Sequence, residues 1–141
     1  MLPAIAGTPT ASSRRQLWGK LERNKAVVRK YLESVAAFDL DSIGECLAEN
    51  VVQHYVAPSH HNDDGGRGTP AIASRASIVE EIGSCFHEIL YRRHTVTIEI
   101  QSIIAEGDYV ACRFTLHETT VRANEYYRNY YNSSIVARMA K

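Results

Sequence analysis

Two side chains in this sequence have the type and placement for acid–base chemistry. Glu118 ends a run in which Cys112, Phe114 and Leu116 alternate with polar residues, so it shares their apolar face. Apolar surroundings disfavour the ionised carboxylate, raise its pKa and make it a base toward a carbon acid near neutral pH. The other reading of Glu118 is a rim carboxylate in solvent. His54 shares one face of the short β-branched run 51–56 with Val52 and Val56. An imidazole titrates at about 6.5 and can take or give a proton there. Its alternative is a core histidine hydrogen-bonded to backbone.

Other polar clusters carry less. His60-His61-Asn62-Asp63-Asp64 offers metal-ligand types, but adjacent residues rarely converge on one ion and no second cluster supports them. The expectation is no metal and no cofactor. Cys46, Cys85 and Cys112 are odd in number, far apart and set in apolar patterns, as buried thiols of a reducing compartment are. Tyr126, Tyr127, Tyr130 and Tyr131 lie on a strand-like segment, where they fit cross-strand packing or a dimer face.

These groups need elements to hold them. After a small, polar, Pro-containing stretch read as a tail over 1–14, apolar residues recur at helical spacing from Arg15 to Phe38: Leu17, Leu21, Val28, Tyr31, Leu32 and Val35. A second short helix follows, with Ser42 and Glu45 fitting a capping box and Ile43, Cys46 and Leu47 as its stripe. Residues 51–56 read as a strand and 57–73 as a long loop rich in Gly, Asp and Asn. Ser77 and Glu80 fit another capping box, opening a helix with Ile78, Ile82, Cys85, Phe86 and Ile89 on one face.

From His94 the period becomes two. Glu106-Gly107-Asp108 separates two alternating runs and predicts a hairpin. Even-numbered residues of both strands carry the apolar face, and a bulge would reverse that parity beyond it. Arg113 and His117 then point to the other face. Helices first and an antiparallel meander after them make the class α+β.

Composition sets the limits. The 141 residues hold 16 basic and 16 acidic side chains, so no electrostatic footprint for nucleic acid is present. No apolar run approaches the roughly 20 residues of a membrane-spanning helix. The start of the chain has no basic segment ahead of an apolar run of signal-peptide length. These readings predict one cytoplasmic domain over 15–141 with no nucleic-acid or membrane partner.

Several motifs resemble the SnoaL-like polyketide cyclases. Asn24 to Tyr31 resembles their opening helix, Asp39-Leu40-Asp41-Ser42-Ile43 their second, and Val51 to His54 their first strand. The most specific match is Ile103-Ile104-Ala105-Glu106-Gly107-Asp108-Tyr109-Val110-Ala111-Cys112-Arg113-Phe114, which resembles the family's Ile-Ala-Glu-Gly-Asp hairpin. The resemblance covers about residues 22–120 and implies an NTF2-like cone: a bent antiparallel sheet wrapped around helices, enclosing an apolar pocket.

It implies that His54 lies on the pocket floor and Tyr31 on the helix face nearest the pocket, where a phenol could orient a carbonyl or enolate. The expected lining is Val52, Phe86, Ile98, Cys112, Phe114, Leu116 and Thr120. The expected partner is a small hydrophobic ligand, with homodimerisation through the outer sheet face. Two features depart from the family. Glu118-Thr119-Thr120 stands where the cyclases have Gly-Thr-His, and Ser133 or Ser134 stands where they have a catalytic Asp. The family also has a further strand after the segment resembling Ile135 to Arg138, so that strand is expected to be lacking. Two functions follow as expectations: a cofactor-independent isomerase, cyclase or dehydratase, or a non-catalytic binding or dimerisation module.

Overall fold

The computed structural model describes residues 7–54, 71–84, 92, 94–121 and 124–136. Helix α1 (Ala11–Ala37) begins four residues before the periodicity does, because the Thr10 side chain accepts a hydrogen bond from the Ser13 N–H and caps it. Its buried stripe is Asn24, Val28, Leu32 and Val35, at helical steps of four, four and three. Phe38 adopts a left-handed conformation (φ 58°) just beyond it. Phe38 N–H donates to Val35 O and Asp39 N–H to Ser34 O, which satisfies carbonyls at the helix end.

The caps of helices α2 (Leu40–Cys46) and α3 (Arg75–Glu81) lie three residues upstream of where the Ser-x-x-Glu patterns place them. Asp39 caps α2 by accepting from Ser42 N–H at 3.1 Å, and Ser74 caps α3 by accepting from Ser77 N–H at 3.2 Å. Ser42 and Ser77 are therefore inside their helices. A carboxylate or hydroxyl placed before the first turn meets an orphan N–H wherever the backbone turns, and a downstream glutamate is not required. Cys85, Phe86 and Ile89 of the predicted third helix lie outside the described residues.

Strand β1 (Val52–His54) pairs antiparallel with β2 (Ala71–Ala73), which takes the last three residues of the segment expected to be loop. The main sheet is β3 (Thr97–Glu106), β4 (Tyr109–Thr119) and β5 (Tyr126–Val136), in that order and antiparallel. The β3–β4 turn is Gly107-Asp108, with Gly107 at φ 58°. A β-bulge lies between Ile100 and Ser102: Ile100 pairs with Phe114, and Ser102 with Arg113. Gln101 is the extra residue, so the apolar parity of β3 switches from Ile98 and Ile100 to Ile103 and Ala105. Ile104, on the parity that would otherwise face inward, is 68% exposed.

Two apolar clusters result. In one, Val28 and Leu32 of α1 pack against Val110, Cys112 and Phe114 of β4. In the other, Val35 meets Ile43 of α2 and Ile78 and Ile82 of the α3 region. Tyr31 and Ile98 touch both clusters and join them. The class is α+β, with helices against the apolar face of an antiparallel sheet, the arrangement expected of an NTF2-like cone. No helix among the described residues is long and apolar enough to cross a membrane.

Candidate functional site

Glu118 is the chemically unusual residue. Alternation along β4 puts it on the inner face with Cys112, Phe114 and Leu116, all buried. It is 1% exposed, and neither carboxylate oxygen has a hydrogen-bond partner among the described residues. Buried polar groups nearly always have partners, and a buried unpaired carboxylate is costly. The cost falls on the ionised form, so burial pushes the Glu118 carboxyl up to about 7. It is a buried carboxyl and not a rim residue.

Its surroundings follow from the sheet. Glu118 pairs with Tyr127 of β5. Continuing the β3–β4 register one step beyond Thr97–His117 sets Val96 opposite it. Thr95 Oγ1 accepts from Thr119 N–H at 3.0 Å and ties the two chains together at this level. Val96 is itself buried, and it lines a cleft of about 540 Å3 between α1 and β3 with Leu32, Ile98 and Ile100. Glu118 is not among the residues lining this cleft, but Val96 stands beside both. Arg29 and Glu33, one helical turn apart, supply the cleft's charges. Glu33 is exposed and sits where the solvent face of α1 meets the edge of β3.

The other predicted site residues fall in different places. Cys112, Phe114 and Leu116 are on the inner face as expected, packed as core. Burial pushes the Cys112 thiol up. Ile98 belongs to both the core and the cleft. Tyr31 is half-buried at the junction of the two clusters. Thr120 is in the β4–β5 connection, where its N–H donates to Glu125 O at 2.9 Å. Val52 is 49% exposed, whereas Val51 packs against the second cluster. His54 ends β1 and pairs with Ala71. The His54 side chain, Phe86 and the 60–64 cluster lie outside the described residues. Among the described residues, no group of three His, Cys, Asp or Glu could hold a metal ion.

The outer face of the sheet carries a second polar constellation that alternation alone hides. His117 Nδ1 shares a short hydrogen bond with the Tyr126 hydroxyl, and His117 Nε2 lies 3.7 Å from Glu99 Oε2. Arg128, paired with His117 in register, stacks over the Tyr130 ring.

Comparison with known proteins agrees with this architecture. Residues 28–137 match the SnoaL-like domain. An LEH-like epoxide hydrolase of M. tuberculosis superposes with a TM-score of 0.64 at 12% identity, over 84% of this chain and 76% of that one. A Bacillus subtilis protein provisionally described as an isomerase gives 0.66 at 20% identity, over 83% and 78%. An NTF2-like protein from Burkholderia xenovorans LB400 gives 0.58 at 13% identity, over 86% and 84%. No curated protein matches the sequence. At these identities the structural likenesses establish the fold alone.

Proposed function

The chain belongs to the SnoaL-like domain family, and from that premise we propose that it transfers a proton on a small hydrophobic, cyclic or carbonyl-bearing compound without a cofactor. The observation that carries this is the burial of Glu118 with both oxygens unpartnered. With its pKa near 7, the group is populated in both forms at neutral pH. As carboxylate it removes a proton α to a carbonyl. As acid it returns that proton to another carbon, which is isomerisation, or to a departing hydroxyl, which is dehydration. Tyr31 orients the carbonyl and His54 is the second acid–base group. The neighbouring cleft, apolar at Leu32, Val96, Ile98 and Ile100 and with one charge of each sign at Arg29 and Glu33, suits a ligand without net charge.

A second reading is a non-catalytic ligand-binding module. It is favoured by the inner face, where Cys112, Phe114 and Leu116 fill space as core.

One experiment separates the two. Cyclic ketones of steroid, polyketide and terpene type are screened for stabilisation of the protein, and those that bind are followed for solvent deuterium incorporation by NMR. Catalysis predicts exchange that falls by about 100-fold or more in Glu118→Gln. Equal stabilisation of wild type and Glu118→Gln, with no exchange in either, selects the binding module.

A further inference from the structure

We propose that Tyr126 is a nucleophile that takes an acyl group from an aryl ester or thioester, with His117 as its base and Glu99 as the charge that supports the base. The register of the sheet brings the three together. On the outer face Glu99 of β3 pairs with Thr115, His117 of β4 lies two residues further on, and Tyr126 of β5 pairs with Thr119, two residues beyond that. They run diagonally across three strands as neighbours on one face. The Tyr126 hydroxyl is hydrogen-bonded to His117 Nδ1, with ring centroids 6.0 Å apart and planes at 28°. Glu99 Oε2 is 3.7 Å from His117 Nε2, inside ion-pair reach but too far for a hydrogen bond, so it acts by charge.

With the hydroxyl donating to Nδ1, the neutral imidazole carries its hydrogen on Nε2, toward Glu99. The sequence of groups is then nucleophile, base and orienting carboxylate. Glu118 is on the opposite face of β4, so this site stands independently of the inner-face reading. In the reaction Tyr126 Oη attacks the acyl carbon while His117 Nδ1 removes the phenol proton, and Glu99 stabilises the imidazolium that forms. The bond from the acyl carbon to the leaving oxygen or sulfur then breaks, and the imidazolium gives its proton to the departing aryloxide or thiolate. The product is O-acyl tyrosine. The leaving group decides the donor class: a phenolate exchanges readily with an aryloxide or a thiolate, whereas expelling the more basic alkoxide of an alkyl ester is uphill.

Two tyrosines of the same face are internal standards. Tyr109 and Tyr130 are 63% and 60% exposed, against 66% for Tyr126. Among the described residues, no histidine bonds the hydroxyl of either. The test treats the full chain with p-nitrophenyl acetate in dilute solution near neutral pH, and follows each tyrosine by tandem mass spectrometry of its peptides. Tyr126 is expected to be acetylated about 10-fold or more faster than Tyr109 and Tyr130. His117→Gln keeps an acceptor but no base and is expected to bring Tyr126 down to the rate of the other two, whose own unchanged rates show that the sheet is intact. Glu99→Gln is expected to slow Tyr126 several-fold and to lessen the salt dependence of its rate, which a merely structural contribution would leave alone. Tyr126 acetylated no faster than Tyr109 and Tyr130 overturns the proposal. Selective acetylation that survives His117→Gln overturns it as well.

Discussion

Glu118 is the residue on which both a pH-dependent stability and the proposed proton transfer rest. Its pKa rises from the ordinary 4.5 to about 7 because burial removes water and puts nothing in its place. Between those values the folded chain binds more protons than the unfolded one, so stability falls as pH rises from 4.5 through 7 and is level above that window. The full penalty is about 3 kcal/mol at 1.4 kcal/mol per pKa unit. Urea unfolding of the wild type, measured from pH 5 to pH 8, should show this decline. Glu118→Gln should remove most of the slope while leaving the fold intact. A slope unchanged in the variant would assign the pH dependence to other groups. Sequence alternation gave Glu118 its face but not its depth, since burial at a strand end depends on what covers that end. Tyr31 illustrates the converse. Its helical position was legible, but that it joins two clusters is a property of packing between α1, α2 and β3.

At the scale of elements, what was readable were those whose signal is local. The α1 stripe, the hairpin turn and the inner parity of β4 all follow from periodicity and turn chemistry. Capping was displaced by three residues in both short helices, because Asp39 and Ser74 precede the Ser-x-x-Glu patterns and reach the same kind of N–H. The bulge at Gln101 could be anticipated only as a possibility, since its position is set by pairing with β4. The spacing of Ile98 and Ile100 from Ile103 and Ala105 is its trace in the sequence. Deleting Gln101 closes the register from Ile100–Phe114 to Ser102–Arg113 and keeps Ile103 and Ala105 on the inner face, so the variant should still fold cooperatively in calorimetry; loss of the cooperative transition would contradict Gln101 as the extra residue. Gly107→Ala tests the turn more gently. Nothing lies within 4 Å of the added Cβ, so the only cost is the left-handed backbone at φ 58°. The expected loss is about 1 kcal/mol in chemical denaturation. A loss of several kcal/mol would contradict that reading of the turn. Ile78→Ala empties a site that is 1% exposed between α2 and α3 and should cost about 2–5 kcal/mol by the same measurement.

Among the described residues, a three-stranded sheet has its inner face covered by α1, with α2, α3 and the β1–β2 pair gathered around the second cluster. The α+β class and the NTF2-like cone were legible from element order and from the hairpin around Gly107. The site was legible only in part: the sequence named Glu118, while the cleft beside Val96 and the constellation of Glu99, His117 and Tyr126 depend on the folded arrangement. Chemistry in this cone turns on whether Glu118 exchanges a proton near neutrality in the folded protein. The direct measurement is a carboxyl 13C NMR titration of glutamate-labelled wild type and Glu118→Gln from pH 3 to 9. One resonance titrating near pH 7 and missing from the variant is the predicted result; titration of every glutamate below pH 5 would contradict it.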